Sequence, residues 1–232
     1  SALLRGARGN SGVILSLLFR GFSRGLSGLK TAKCEDMANA LELGVEAAYK
    51  AVMKPTEGTI LTVARLASVK AREISKSTND VTLLWQEVCD EALATLDKTP
   101  DMLPVLKKAG VVDAGGKGLL VIFEAMLEVF KGGEITKAEN EYDVPVKKHE
   151  SFNTVVGDVG DEVITFTYCT EFIVDKKEGS KDASVLRAYL ETIGDSAVVV
   201  EDDDIIKIHV HTDHPGKAME KGLQFGQLVN MK

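Results

Sequence analysis

The chain has 232 residues, 44% hydrophobic and 27% charged, with a formal net charge of −7. This is the profile of a globular protein with one large or two modest domains, and its acidic balance argues against nucleic acid or an anionic membrane as the main partner. No apolar run reaches the roughly 18–20 residues that span a bilayer, and the three scattered cysteines Cys34, Cys89 and Cys169 suit a reducing compartment better than a disulfide framework, so a cytoplasmic location is expected.

The first notable stretch is Gly6-Ala7-Arg8-Gly9-Asn10-Ser11-Gly12. Its glycines let backbone amides face a ligand, and Ser11 is the expected N-cap of a helix over 11–28. Helix N-termini attract anions, so a phosphate cradle is one reading and a capped helix start is the other. Gly21, Gly25 and Gly28 should weaken the end of that helix. A second helix is expected over 34–54, with Met37, Ala40, Leu41, Gly44, Val45 and Ala48 on one stripe, stopping before Pro55. The loop Lys54–Thr59 precedes a third helix ending near Ser77, and Asp80 can cap a fourth that runs up to Pro100. A short turn over Met102–Ala109 and the loop Gly110–Gly118 lead into a final helix carrying Leu119, Ile122, Phe123, Met126, Leu127 and Phe130. Residues 134–150 are charged and poor in apolar groups, and they read as a linker.

Beyond the linker the period changes. Val163–Phe172 alternates, with Ile164, Phe166, Tyr168 and Phe172 on the face expected to be buried and Thr165, Thr167, Cys169 and Glu171 opposite. A helix over 181–193, strands at Ala197–Val200 and Ile205–His211, and a helix opened by Pro215 complete the pattern, with a last strand beginning near Gln227. The expected fold class is multidomain: an all-α helical barrel of amphipathic antiparallel helices over 1–133, then an α+β domain over 151–232.

Three glycine-bearing segments, Gly9–Gly12, Gly58–Thr59 and Gly110–Gly118, each stand before a helix, and converging helix ends would suit a nucleotide triphosphate. The Gly110–Gly118 loop is not a P-loop, because Lys117 is followed by Gly118 and a helix precedes it where a strand should. Only Glu57 and Asp113 offer carboxylates on these loops, which leaves a magnesium site underprovided. Arg8, Arg20 and Arg24 read as a solvated helix face, with Arg8 placed to reach a phosphate. His209 and His211 share one strand face, and Cys169 lies on the polar face of its own strand. A thiolate and two imidazoles suit zinc, with Glu171, Asp213 or His214 as a fourth ligand or outer support, although a wet strand face also tolerates histidines.

The segments Gly6–Ser16, Lys54–Val63 and Ala109–Gly116 together resemble the ATP-binding subunit of bacterial fatty acid kinase. So do Tyr168-Cys169-Thr170-Glu171-Phe172 and His209-Val210-His211-Thr212-Asp213-His214-Pro215-Gly216. The first domain of that family is similar to the L subunit of dihydroxyacetone kinase. The resemblance implies ATP at one end of a helical barrel, bound by Arg8, Gly9, Asn10, Ser11, Gly12, Gly58, Thr59, Asp113, Ala114 and Gly115. It implies Zn2+ on Cys169, His209 and His211. It also implies a fatty-acid-binding partner protein that presents the fatty acid for phosphorylation to an acyl phosphate. The family's aspartate-rich magnesium signature is not present in the chain, so Mg2+ ligands are expected upstream of Ser1 and a third domain beyond Lys232, with the fragment inactive alone. A barrel left open would expose apolar faces, and a homodimer is the expected consequence. The alternatives are a kinase subunit of the dihydroxyacetone type and a non-catalytic, zinc-stabilised interaction module.

Overall fold

A computed structural model describes residues 2–52, 54–133 and 165–232. The expected linker over 134–150 and the expected strand start at Val163 and Ile164 lie outside the described residues. The first part is helical: α1 (Ala2–Gly6), α2 (Gly9–Gly25), α3 (Cys34–Ala51), α4 (Ile60–Ile74), α5 (Val81–Met102), α6 (Pro104–Ala109) and α7 (Ala114–Phe130). The second part holds β1 (Tyr168–Lys176), α8 (Ala183–Ile193), β2 (Gly194–Glu201), β3 (Ile205–Thr212), α9 (Pro215–Leu223) and β4 (Gly226–Val229). Helices followed by an α+β unit is the architecture expected from the periodicity. Among the described residues, no helix is long and apolar enough to cross a membrane.

Trp85 sits at the centre of the helical core, fully buried, with its ring edge-on to Phe22, Phe123 and Phe130 at centroid distances of 6.0, 5.5 and 5.5 Å. Its indole N–H donates to the Phe123 carbonyl at 3.0 Å, so the one polar atom of the ring is satisfied in the core. Asp80 caps α5 as expected, accepting from the Thr82 and Leu83 amides. The glycines of α2 do something other than weaken it. A Cβ on Gly21 would lie 2.5 Å from Gly44 Cα, and one on Gly25 would lie 2.6 Å from Ala40 Cα. These small residues let α2 and α3 cross with their backbones in contact, a tertiary demand that outweighs helix propensity.

α5 runs through Pro100 instead of stopping there. The missing Pro100 N–H would have reached the Leu96 carbonyl, and the Thr99 hydroxyl donates to that oxygen instead, at 2.7 Å.

The sheet is antiparallel, in the order β2-β3-β1-β4. One face carries Phe172, Val174, Ile206, Ile208 and Val210 and packs with Leu186 of α8 and Ala218 of α9. Tyr168, expected on the buried face, is exposed at the end of β1, and the buried run on that face is Thr170, Phe172 and Val174. The opposite face was expected to be wet, and it is not. Ile173, Val198, Val200 and Ile205 join the core of the helices. Arg20 of α2, expected in solvent, donates to the Glu201 carbonyl at 2.7 Å and pairs with Asp202 in the β2–β3 turn at 3.8 Å. Arg187 of α8 bonds the Lys50 carbonyl at 3.0 Å, and Val52 bridges to Val198. The sheet is therefore covered on both sides.

Replacing Gly21 with alanine forces the two backbones apart. We expect Gly21→Ala to destabilise the protein by about 1–3 kcal/mol despite alanine's better helix propensity, read as a lowered midpoint in thermal or urea unfolding. An unchanged or raised midpoint would contradict the close crossing.

Candidate functional site

The three glycine-bearing segments meet at one cavity of about 370 Å³. Its walls include Asn10 and Ser11 from α2, Lys54, Thr56 and Thr59 ahead of α4, Asp113 at the start of α7, and Asp195, Ser196 and Val198 from β2. Three helix N-termini thus open on the same space, where amides without intrahelical partners and the helix dipoles favour negative charge. The Asn10 Oδ1 atom is buried with no hydrogen-bond partner, so its amide is available to a ligand.

The first wall differs from expectation in one detail. α2 begins at Gly9, with exposed Arg8 at the N-cap position making no side-chain cap, and Ser11 lies inside the first turn. Gly9 has φ +63°, which a side chain would resist, and its amide donates to Glu171 Oε1 of β1 at 3.0 Å. The helix start is therefore held by a carboxylate of the sheet in place of its own serine. Gly12 packs beside Ala7, and Gly115 stands against Ser11, where a Cβ would lie 3.1 Å from the serine oxygen. Ala114 is the first residue of α7.

The second wall is built around Glu57. Its carboxylate accepts from Thr62 Oγ1 at 2.8 Å and from Arg65 at 2.7 Å, while Arg65 also donates to the Tyr49 hydroxyl at 3.0 Å. Burial pushes the Glu57 carboxyl up, but the hydrogen bonds from Thr62 and Arg65 with the Arg65 charge outweigh it and hold the group below its ordinary value. Thr62 in turn accepts from the Gly58 amide at 2.9 Å, and Gly58, at φ +81°, is pressed against Thr99, Met102 and Leu103 of the α5 end. Thr59 caps α4.

The third wall hangs on Thr99. The Asp113 amide donates to Thr99 Oγ1 at 3.1 Å, and the Asp113 carboxylate accepts from the Gly116 amide at 2.6 Å as the cap of α7. Thr99 is thus a hub that sequence reading missed, although a Thr-Pro pair inside a helical pattern is a visible signal. Lys54, Asp195 and Ser196 were also missed as site residues. The β2 residues come to the cavity through a bulge: Asp195 pairs with His211 and Val198 with His209, so Ser196 and Ala197 together face Val210. Ser196 takes φ +51° there, a left-handed conformation that re-aims the strand.

Beside this cavity lie Cys169, His209 and His211, whose ligand atoms all fall within 4.8 Å of one another. The two Nε2 atoms are 3.3 Å apart, and the Cys169 sulfur is 4.0 Å from His209 Nδ1. His209 Nδ1 is 3.7 Å from Glu171, and His211 Nδ1 is 3.6 Å from Asp195. Burial, then the His211 charge, holds the His209 imidazole below its ordinary value against the pull of Glu171. Burial, then Glu171, pushes the Cys169 thiol up. Lys207, buried on the same face, donates to the Ala7 carbonyl just ahead of α2, and burial lowers its ammonium. Of the other expected helpers, Asp213 accepts from the Thr167 amide and the His214 amide donates to Thr212, so neither stands in the triad as described.

The DAK2 domain model matches residues 1–128, and the model of the FakA-like middle domain of fatty acid kinase matches residues 165–232. The chain belongs to the FakA-like fatty acid kinase family. The protein YloV of Bacillus subtilis strain 168 is 42% identical over 236 residues, spanning 99% of this chain and 42% of YloV. An uncharacterized protein of Staphylococcus epidermidis is 44% identical over 236 residues with the same coverage, and one of Staphylococcus saprophyticus is 42% identical over 234. The chain thus spans 42% of the length of each of these relatives. Membership places it among kinase-type subunits with a nucleotide-binding helical domain.

Two outcomes follow from the loop geometry. Thr99→Val removes a donor to Leu96 and an acceptor for Asp113 at a buried position, which should destabilise by about 1–3 kcal/mol in urea unfolding; a neutral result would remove Thr99 as the hub. For Glu57 the folded pKa lies below the unfolded value near 4.3, so its contribution is present above that value and fades as pH falls through the folded one. The stability difference between wild type and Glu57→Gln should therefore be largest near neutral pH and vanish in strong acid, measured as unfolding midpoints across the pH range.

Proposed function

We propose that the cavity binds ATP and that the chain is the nucleotide-binding part of a kinase that phosphorylates a fatty acid carboxylate, held by a lipid-binding partner protein, to an acyl phosphate. The observation that carries the reading is the convergence of three helix N-termini, an unpartnered Asn10 amide and Lys54 on one cavity. Phosphoryl transfer asks a protein mainly to position and to stabilise charge. In this reading Asn10, Ser11 and Gly12 meet the phosphates through the first turn of α2, Gly58 and Thr59 through the start of α4, and Asp113, Ala114 and Gly115 through the start of α7. Exposed Arg8 sits one residue ahead of α2 and reaches a phosphate only from outside the cavity.

Magnesium bound with ATP would neutralise phosphate charge. The two loop carboxylates do not fit as its ligands, because Glu57 is held by Thr62 and Arg65 and Asp113 by the start of α7. No step is derived through it.

Zinc fits. One sulfur and two imidazole nitrogens lie at separations suited to a shared tetrahedral ion, and each Nδ1 faces a carboxylate, the arrangement that orients metal-bound histidines. We assign Cys169, His209 and His211 as its ligands. The apolar cleft among Phe19, Phe22, Leu41, Val45 and Met126 is the surface we propose for the homodimer.

Titration calorimetry with an ATP analogue tests the cavity. Asn10→Asp keeps the shape and adds a negative charge; we expect it to weaken binding at least about tenfold, the effect of losing a charge-assisted contact, with the unfolding midpoint unchanged. Equal affinity in the two proteins would place the nucleotide elsewhere. Elemental analysis tests the metal: about one equivalent of zinc in wild type, lost in Cys169→Ala, is expected, and a metal-free wild type would end that assignment.

A further inference from the structure

The metal triad and the cavity share two carboxylates. Glu171 Oε1 lies 3.7 Å from His209 Nδ1 and accepts from the Gly9 amide at 3.0 Å, at the first turn of α2. Asp195 lies 3.6 Å from His211 Nδ1 and itself lines the cavity, beside the strained Ser196 of the β2 bulge. Each carboxylate therefore stands between one imidazole and one cavity wall. Gly194, just before Asp195, packs so closely on the His211 carbonyl that a side chain there has no room.

The proton arrangement of the imidazoles gives this geometry a direction. The two Nε2 atoms face one another at 3.3 Å, so a hydrogen bond between neutral rings puts a proton on one Nε2. That ring then turns a bare Nδ1 lone pair toward its carboxylate, and only one of Glu171 and Asp195 gains a donor. A metal held by both Nε2 lone pairs reverses this: both rings carry their proton on Nδ1, and both carboxylates accept one.

We propose that Glu171 and Asp195 are positioning residues that transmit metal occupancy of the Cys169–His209–His211 triad to the two walls of the cavity, the first turn of α2 through Gly9 and the β2 bulge through Ser196. Metal binding pins both walls in the form that receives an anionic ligand, and the coupling is reciprocal. The inference rests on the zinc reading above, and it concerns the carboxylates rather than the ligands themselves.

Amide hydrogen exchange on the chain, with and without zinc, tests it without relying on activity or nucleotide. Zinc stoichiometry is measured first. In wild type, zinc should slow exchange at residues 9–12 and at residues 194–198 by about fivefold or more. Glu171→Ala should lose the effect at 9–12 and keep it at 194–198, and Asp195→Ala should show the reverse. Glu171→Gln, whose carbonyl still accepts from Gly9 and from an imidazole N–H, should retain most of the protection. This crossed pattern separates transmission from a general structural role. If Glu171→Ala fails to fold, Asp195→Ala and Glu171→Gln still decide. Zinc bound without protection in wild type, or protection that survives equally in both alanine variants, overturns the inference and leaves the metal assignment standing. A chain that binds no zinc overturns both.

Discussion

A lysine, a carboxylate and two imidazoles on one sheet face cannot be buried against a helix unless each finds a partner. Lys207, Glu171, His209 and His211 occupy that face, and α2 lies over it. The partners are supplied by the helix start: the Ala7 carbonyl takes the ammonium and the Gly9 amide takes the carboxylate. The same pairing fixes where α2 begins, and so where its first-turn amides point. Ile173, Val198, Val200 and Ile205 add apolar burial around this polar centre. The two parts of the chain are therefore joined at the place where the cavity lies, and the sheet supplies one of its walls.

The remaining walls depend on polar groups used twice. Thr99 closes the gap left by Pro100 and receives the Asp113 amide. Glu57 is clamped by Thr62 and Arg65, and Thr62 holds Gly58. Such shared groups leave the backbone around the cavity few alternatives, which is what preorganised binding of a flexible, charged ligand requires. They also remove the loop carboxylates from metal binding, consistent with a site whose acidic ligands come from other groups.

The helices and the order of fold classes were legible because a 3.6-residue apolar stripe and a two-residue alternation are local signals. The shared face of His209 and His211 was legible for the same reason. What covers that face was not: alternation says which residues point together, and only the packed chain says what they meet, so a face read as wet is the joint of the molecule. Gly21 and Gly25 show the same limit. Their propensity weakens a helix, while their use is to let Gly44 and Ala40 come close. Glu171 and Asp195 act on partners far along the chain or across a bulge, and no spacing rule reveals them. Resemblance to the ATP-binding subunit of fatty acid kinase drew the three glycine segments to a single ligand, and the cavity they share is consistent with it.

The central claim is that this cavity, walled by three helix starts and the β2 bulge, is where the nucleotide sits. A crystal structure of the chain with a non-hydrolysable ATP analogue and zinc tests it most directly. The account predicts triphosphate density within hydrogen-bonding distance of Asn10–Gly12, Thr59 and the start of α7. An analogue bound away from these three helix starts, with the cavity holding only solvent, would contradict it.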